Sequence, residues 1–158
     1  MNVLFVCTGN TCRSALAEAI AGREAAGRGI TDVHASSAGT SAWDGAPASD
    51  GALLVGIERK LDVNSHRSRQ LTREIVDQSD LILAMGPHHV ERIEALGGTG
   101  KTYLITDYAE RSHDGRAIVD PFGGGLDIYR STVDELERMM VLVFDRIVSE
   151  RSRNSGAR

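Results

Sequence analysis

A thiol and a guanidinium group lie close together near the start of the chain. Cys7 and Arg13 are separated by five residues, in the segment Cys-Thr-Gly-Asn-Thr-Cys-Arg-Ser. A loop of this length around a phosphate would place the sulfur beneath the phosphorus and the guanidinium against two oxygens, because a planar guanidinium pairs with two oxygens at once. The backbone N–H groups of such a loop also face the anion. This setting favours the thiolate, which is the nucleophilic form of Cys7.

Three other residues of the segment support this interpretation. Gly9 permits a positive φ or a close approach of the backbone, Asn10 tolerates the left-handed region, and Ser14 carries a hydroxyl that could reach the sulfur. A cysteine followed six places later by an arginine also arises by chance, and the alternative is a buried structural cysteine beside a capped helix. A second motif farther along the chain supports the interpretation of this segment as a phosphate-binding loop.

That second motif is Asp-Pro-Phe-Gly-Gly-Gly, which begins at Asp120. It is predicted to be an exposed loop. Attack of a thiolate on phosphorus expels a poor leaving group unless an acid donates a proton, and a carboxylic acid above the phosphate suits this task. Taken alone, Asp-Pro is a turn initiator. Asp120 therefore becomes a candidate acid only as the partner of Cys7.

These groups must be positioned by the elements around them. Short strands are predicted at residues 3–6, 33–37, 81–84 and 102–105. Helical spacing of apolar residues predicts helices at residues 13 to about 28, 49–61, 72–76, 88–96 and 134 to about 149. Strands that alternate with helices predict an α/β fold with a central parallel sheet of about four strands, flanked by helices in three layers. Ligands bind such sheets beyond the carboxyl ends of the strands, which is where the Cys7 segment lies.

Length and composition narrow the possible classes of protein. The 158 residues predict one domain, residues 1–150, followed by a basic tail, residues 151–158, that is predicted to be disordered. A net charge of −4 argues against nucleic acid as a partner. No apolar run approaches the roughly 20 residues of a membrane span, and no signal-like leader is present, so a soluble cytoplasmic protein is expected.

The two motifs together resemble the low-molecular-weight protein tyrosine phosphatase family, over about residues 1–150. The resemblance implies that Cys7 is the nucleophile, that Arg13 binds the phosphate and the transition state, and that Asp120 protonates the leaving group. The implied reaction passes through a phosphocysteine, which water activated by the ionised Asp120 then hydrolyses. It requires neither a metal nor another cofactor, and the substrate is a phosphorylated protein.

The resemblance also assigns supporting roles. It implies that Ser14 supports the thiolate. It places eight residues in the phosphate loop and its support: Thr8, Gly9, Asn10, Thr11, Cys12, Ser14, Ser37 and His66. Of these, Asn10, Ser37 and His66 are expected to form a hydrogen-bond network that fixes the shape of the loop.

Three residues are predicted to line the substrate pocket: Thr11, Trp43 and Phe122. Thr11 and the Phe-Gly-Gly run resemble the bacterial protein-arginine phosphatases of the family, whereas tyrosine-directed relatives tend to carry a larger aliphatic residue at the first position and two aromatic residues in the loop. Phosphoarginine is therefore favoured slightly over phosphotyrosine. Trp43 discriminates weakly, because an indole face suits both a phenyl ring and a guanidinium.

Other functions and roles remain open. Arsenate reductases share the fold and loop, but the thioredoxin-coupled kind needs further cysteines, and none follows Cys12. A non-catalytic phosphate-binding module is a further alternative. Cys12 is either a small buried residue or the partner of Cys7 in a protective disulfide. His88 and His89 are predicted to be an exposed pair rather than metal ligands, because adjacent helical positions diverge and no third ligand is suitably spaced.

Overall fold

The computed structural model describes residues 1–156. These residues form four strands, six α-helices and a π-helical turn, Glu94–Gly98. The strands are β1 (Asn2–Cys7), β2 (His34–Gly39), β3 (Leu81–Ala84) and β4 (Thr102–Leu104). The helices are α1 (Arg13–Gly27), α2 (Asp50–Arg59), α3 (Arg73–Asp77), α4 (Pro87–Ile93), α5 (Ile105–Glu110) and α6 (Leu126–Gly156).

The four strands form one parallel sheet in the order β2-β1-β3-β4. This confirms the predicted α/β fold of a single domain. The chain moves from β1 to one side for β2 and to the other side for β3 and β4, so the strand order reverses at β1. Cys7 ends β1 and pairs in register with Gly39 of β2. The loop that follows Cys7 therefore leaves the sheet at the reversal point, where such folds bind their ligands.

Alternate residues of β1 face opposite sides of the sheet, as a strand requires. Val3, Phe5 and Cys7 pack in the larger core cluster, which contains the buried residues of α1 and α6. Leu4 and Val6 pack in a smaller cluster on the other face. The nucleophile candidate thus belongs to the face that is covered by α1, the helix that its own loop enters.

The sequence missed α5 and the first two turns of α6. The predicted fourth strand ends one residue early, at Leu104, and Ile105 begins α5. Helix α6 begins at Leu126 rather than at residue 134, because Tyr129 and Val133 are buried in the core at helical spacing. This early segment contains β-branched and aromatic residues of modest helix propensity and follows a glycine run, so tertiary packing decides its structure.

The basic tail is helical rather than disordered as far as it is described. Helix α6 continues to Gly156, which contradicts the prediction for residues 151–156, while residues 157 and 158 lie outside the described part of the chain. The Arg151 guanidinium makes two hydrogen bonds to the Asp32 carboxylate, of 3.1 and 2.6 Å. This contact ties the helix end to the loop before β2. No helix among residues 1–156 combines the length and the apolar character that a bilayer span requires.

Candidate active site

The loop after β1 forms the base of a small cavity. It runs from Cys7 to Cys12, which is the N-cap residue of α1, and Arg13 is the first residue of that helix. Residues of this loop, together with the Asp120 loop, line a cavity of about 210 Å³. The lining residues are Cys7, Thr8, Gly9, Thr11, Cys12, Arg13, Asp120 and Phe122. The structure therefore brings the two separated motifs of the sequence to one place.

The sulfur of Cys7 lies at the buried end of this cavity, and a serine is aimed at it. The Ser14 Oγ atom is 2.9 Å from the Cys7 Sγ atom, and it accepts a hydrogen bond of 2.8 Å from the Asn10 side-chain amide. Because Ser14 Oγ accepts its hydrogen bond from Asn10, the hydroxyl proton of Ser14 is free to point at the sulfur. A donor in this orientation stabilises a thiolate.

Asn10 is the centre of the hydrogen-bond network. Its backbone lies in the left-handed region, with φ of 57°, which asparagine tolerates better than most residues. The amide nitrogen of Asn10 also donates to Ser37 Oγ at 2.9 Å, and Ser37 in turn donates to the Glu18 carboxylate at 2.9 Å. The Asn10 amide thus donates in two directions, through Ser14 toward Cys7 and through Ser37 toward Glu18.

The other polar atoms of Asn10 are held by the segment after α2. The imidazole of His66 donates from Nε2 to the Asn10 carbonyl oxygen at 2.6 Å, and the Arg69 backbone N–H donates to Asn10 Oδ1 at 3.0 Å. The structure therefore brings together Asn10, Ser37 and His66 as the sequence predicts. Two members of the network were missed: Glu18, which lies one helical turn after Ser14, and Arg69. Neither contact has a spacing signal in the sequence, because Glu18 binds Ser37, 19 positions away, and Arg69 binds Asn10, 59 positions away.

Close packing against the loop requires glycine at position 39, not at position 9. Gly9 does not have a positive φ, and an added Cβ there would meet only Thr11 Oγ1, at an ordinary 3.7 Å. A Cβ on Gly39 would lie 2.4 Å from the Thr8 carbonyl oxygen and 3.0 Å from the Asn10 backbone nitrogen. The end of β2 can thus approach the loop only without a side chain.

We expect Gly39→Ala to displace the loop and to impair both stability and activity. Crowding against backbone atoms should lower the free energy of unfolding by about 1–3 kcal/mol, and a shift of the loop should lower kcat by about 10- to 100-fold. Urea unfolding and p-nitrophenyl phosphate kinetics measure the two effects. Gly22→Ala is the matched control, since Gly22 lies exposed in α1 with open space around it, and alanine there should stabilise by about 0.5–1 kcal/mol. Equal behaviour of the two variants would contradict the packing argument.

Arg13 is buried, and a hydrogen bond to a backbone carbonyl group fixes the orientation of its side chain. The side chain is 7% exposed, and Nη1 donates to the Ile118 carbonyl oxygen at 3.1 Å. The other terminal nitrogen, Nη2, lies 3.5 Å from the Asp120 carboxylate, which is half exposed. The guanidinium is therefore held in place at the cavity and faces the carboxylate that the sequence pairs with Cys7.

The Asp120 loop has a defined local structure. The Phe122 backbone N–H donates to Asp120 Oδ1 at 3.0 Å, which leaves Oδ2 facing Arg13. Gly123 has φ of 79°, a conformation that residues with a Cβ adopt only with strain. The absence of an aromatic side chain at position 123 therefore suits this backbone.

The three predicted pocket residues do not all reach the cavity. Thr11 and Phe122 line it, although Phe122 is largely exposed. Trp43 is 86% exposed and lies outside the lining residues, so the structure does not bring it to the site. Its loop is held at the backbone instead, where the Ser68 hydroxyl donates to the Trp43 carbonyl oxygen. This hydrogen bond fixes the chain path and leaves the indole free of the pocket.

His89 is buried beside the phosphate loop, contrary to the prediction of an exposed pair. Helix α4 turns His88 to the surface and His89 into the protein, where its Nε2 atom lies 2.8 Å from Thr8 Oγ1. Burial lowers the pKa of His89 to about 4, and the nearby His88 and Arg13 act in the same direction, while Asp120 opposes them. His89 is therefore neutral at pH 7.

This burial makes the stability depend on pH. The unfolded chain binds a proton at His89 with a pKa near 6.5, whereas the folded chain does so only near 4, so the unfolded state holds more protons between these values. The contribution of the neutral His89 to the free energy of unfolding is fully present above about pH 6.5. Up to about 3 kcal/mol of it is lost as the pH falls to about 4. Urea unfolding across this range, compared with His89→Gln, isolates the contribution, because the other groups titrate alike in both proteins. Parallel stability curves for the two proteins would contradict it.

Cys12 makes its contacts on the core side of the loop. Its Sγ atom lies 3.2 Å from Ser49 Oγ and 3.4 Å from Tyr129 Oη, and these two oxygens are 3.1 Å apart. Burial raises the pKa of Tyr129 to about 12, and the contact with Cys12 adds to the shift. Both cysteines are free thiols, and a protective disulfide between them under oxidation stays a prediction.

Metal ligands are not clustered in the described part of the chain. Among residues 1–156, no group of three or more His, Cys, Asp and Glu side chains is arranged to hold a metal ion.

Comparison with known proteins identifies the family. The sequence model for low molecular weight phosphotyrosine protein phosphatase matches residues 2–153. The chain belongs to this family. It is 37% identical to the protein-arginine-phosphatase of Bacillus subtilis over 153 residues. This alignment covers 96% of this chain and 99% of the relative. It is 36% identical over 137 residues to the low molecular weight protein-tyrosine-phosphatase PtpB of Staphylococcus haemolyticus, over 86% and 92% of the two chains.

Solved structures of low-molecular-weight phosphatases share the fold. The YwlE arginine phosphatase, solved as a cysteine-to-serine mutant with a phosphorylated active-site serine, superposes with a TM-score of 0.89 at 36% identity, over 96% of this chain and 99% of that chain. The YwlE arginine phosphatase of Geobacillus stearothermophilus superposes with a TM-score of 0.87 at 33% identity, over 96% of both chains.

Proposed function

We propose that the protein is a cysteine-dependent protein phosphatase that hydrolyses phosphorylated side chains through a phosphocysteine. One observation carries this proposal: a single cavity of about 210 Å³ is lined by the Cys7 thiol, the Arg13 guanidinium and the Asp120 carboxyl group. Larger cavities, of about 430 and 550 Å³, contain neither cysteine. Nucleophile, anion binder and acid are thus together at one site.

In the first step the Cys7 thiolate attacks phosphorus. The S–P bond forms as the bond to the leaving nitrogen or oxygen breaks, and Asp120 gives that atom its proton. Arg13 and the loop N–H groups bind the equatorial oxygens, where the charge resides in phosphoryl transfer. The backbone contact of Arg13 with Ile118 keeps the guanidinium oriented for this purpose.

In the second step water attacks the phosphocysteine. Asp120, now ionised, takes a proton from the water as the O–P bond forms, and the S–P bond breaks to release inorganic phosphate and the Cys7 thiolate. The hydroxyl of Ser14, 2.9 Å from the sulfur, stabilises this departing thiolate. The site returns to its starting state, with the proton on Asp120.

Trapping of the intermediate tests the proposal. Rapid acid quenching during turnover of p-nitrophenyl phosphate is expected to leave a phosphoryl group on the peptide that contains Cys7. Phosphate release without any phosphoryl-enzyme would overturn the mechanism. Binding of phosphate without any hydrolysis would instead identify a non-catalytic phosphate-binding module.

We expect the effect of Asp120→Asn to depend on the leaving group. An amide cannot donate the proton, which matters little for p-nitrophenolate but greatly for a basic leaving group. The rate should fall by about tenfold with p-nitrophenyl phosphate and by about 10²- to 10³-fold with phenyl phosphate, whose leaving group is more basic. Steady-state kinetics on the two esters measure this difference. Equal losses on both would show that Asp120 acts on binding rather than as the acid.

Phosphoarginine is the substrate that we favour over phosphotyrosine. Thr11 lines the cavity, and Gly123, with φ of 79°, stands where tyrosine-directed relatives often carry a second aromatic residue. The relatives named protein-arginine-phosphatase match almost the whole chain, which supports the same choice. A tyrosine-directed relative matches at nearly the same identity, so phosphotyrosine is the alternative.

Side-by-side kinetics decide between the two substrates. Phosphoarginine and phosphotyrosine peptides of matched sequence are compared with the wild type and with Thr11→Ile. Removing the Thr11 hydroxyl and adding aliphatic bulk should shift the ratio of kcat/KM toward phosphotyrosine by about tenfold, the effect of one lost polar contact. A wild-type preference of tenfold or more for phosphotyrosine would reverse our order.

The setting of the reaction is also part of the proposal. The substrate is a phosphorylated protein, and a cytoplasmic location agrees with two cysteines kept as free thiols. Nucleic acid is not expected as a partner, since the net charge is −4. Fractionation of cells followed by activity measurement with a phosphoarginine peptide tests the location.

A further inference from the structure

The hydroxyl of Thr8, in the phosphate loop, contacts helix α4. It lies 2.8 Å from the imidazole of His89, 81 positions away, and Thr8 is also one of the residues that line the cavity. The contacts of Asn10 do not involve this pair. Nothing in the proposed reaction uses the pair of Thr8 and His89, although a buried histidine at this place is costly to keep.

The buried ring has only one hydrogen-bonded nitrogen. His89 is fully buried, and within residues 1–156 its Nδ1 atom has no hydrogen-bond partner. A neutral imidazole carries one N–H and one lone pair. If the proton were on Nδ1, the protein would bury an unsatisfied donor, which is rarer in folded proteins than a buried acceptor without a partner. The N–H therefore belongs on Nε2, where it donates to Thr8 Oγ1.

This donation decides what Thr8 offers to a ligand. One lone pair of Thr8 Oγ1 receives the imidazole N–H, so the second lone pair and the hydroxyl proton are available toward the cavity. The guanidine of phosphoarginine carries N–H groups that require acceptors, whereas the edge of a phenyl ring carries only C–H groups. A site built to hydrogen-bond an N–H discriminates strongly against an analogue that lacks it.

We propose that Thr8, positioned by His89, accepts a hydrogen bond from the guanidine of phosphoarginine and selects it over aryl phosphates. This inference rests on the proposed phosphatase function and adds a second polar contact to that of Thr11. His89 is a positioning residue, because it acts through Thr8. Its neutral ring, with the pKa lowered to about 4, also brings no positive charge near the guanidinium of the substrate.

Two matched pairs of variants test the proposal. Thr8→Val removes the hydroxyl at nearly constant shape, and Thr8→Ser keeps it. His89→Gln keeps an amide N–H near the position of Nε2, whereas His89→Asn, equally polar and neutral, places its amide near Nδ1 and cannot reach Thr8. The readout is the ratio of kcat/KM for a phosphoarginine peptide to kcat/KM for p-nitrophenyl phosphate. General damage to the loop lowers both activities and leaves this ratio unchanged.

The ratio is expected to fall about tenfold in Thr8→Val and in His89→Asn, the effect of one hydrogen bond, and to stay near the wild-type value in Thr8→Ser and His89→Gln. The double variant Thr8→Val/His89→Asn should be no worse than either single variant. An unchanged ratio in Thr8→Val would overturn the proposal. A ratio that falls in Thr8→Val but not in His89→Asn would overturn it as well. If His89→Asn does not fold, Thr8→Val compared with Thr8→Ser still decides it.

The same measurements separate this proposal from the function on which it rests. A wild type without turnover of either substrate would overturn the proposed function, and the pair of Thr8 and His89 with it. A wild type that hydrolyses both substrates, with a ratio that no Thr8 variant changes, would overturn only the role of the pair.

Discussion

Cys7→Ser is expected to lower kcat for p-nitrophenyl phosphate by about 10⁴-fold or more, the scale of losing a catalytic nucleophile. A serine hydroxyl is not ionised near neutral pH, and the group that touches this position, Ser14, is oriented as a donor because it already accepts from Asn10. The site thus stabilises a nucleophile that is already an anion, and Asp120 enters the first step as an acid rather than as a base. Turnover should fall even though serine fits the space.

Phosphate binding is the internal control for this variant. Arg13 and the loop N–H groups remain in place, so calorimetric titration with inorganic phosphate should give an affinity within about threefold of the wild type, less than the effect of one neutral hydrogen bond. Retained hydrolysis in Cys7→Ser would show that Cys7 is not the nucleophile. If hydrolysis, phosphate binding and the thermal unfolding transition were all lost in Cys7→Ser, the result would indicate a collapsed loop instead.

Arg13→Lys is expected to lower kcat/KM by about 10³-fold, although the charge is kept, because an arginine that stabilises the charge of phosphoryl transfer contributes on this scale. The guanidinium holds the Ile118 carbonyl oxygen with one nitrogen and leaves the other directed into the cavity. A single ammonium group cannot satisfy the buried carbonyl and bind two phosphoryl oxygens together. Vanadate, which mimics the transition state, should lose more affinity than phosphate does.

Arg67→Lys provides the matched control. Arg67 lies near the site, exposed, with its guanidinium on the carbonyl oxygens of His66 and Asn64 rather than in the cavity. Its kcat/KM should change by no more than about twofold, as for a surface substitution. Similar losses in both variants would show that the loss at Arg13 is not a property of the cavity.

The centre of the site was predictable because its information is local. Cys7, Arg13 and Ser14 occupy one strand-loop-helix unit, so spacing alone brings them together, and Asp120 follows from the chemistry that they need. Asn10 was also predictable, since a left-handed backbone within such a loop favours asparagine. The parallel order of the sheet followed from the alternation of strands and helices.

What the sequence did not reveal depends on tertiary contacts. Whether His89 or its neighbour faces inward depends on the rotation of a seven-residue helix, which two adjacent histidines do not indicate. The need for Gly39 arises from the approach of β2 to the loop, and the exposure of Trp43 from the path of a connection. Helix α5 has only six residues, and the start of α6 has modest helix propensity, so packing decides both.

The hydrogen bonds of Asn10 require both the nitrogen and the oxygen of a side-chain amide at this position. Its two amide protons are given to Ser14 and Ser37, while its oxygen accepts from Arg69. Glycine would suit the backbone but has no side-chain amide. Aspartate would match the size of asparagine, but its carboxylate has no N–H groups to donate. Hydrolytic deamidation of this one residue, a change of a single functional group, would turn both donors into acceptors and reverse the hydrogen bonds that lead to the sulfur. The side chain of Asn10 is fully buried, which shields this amide from bulk water.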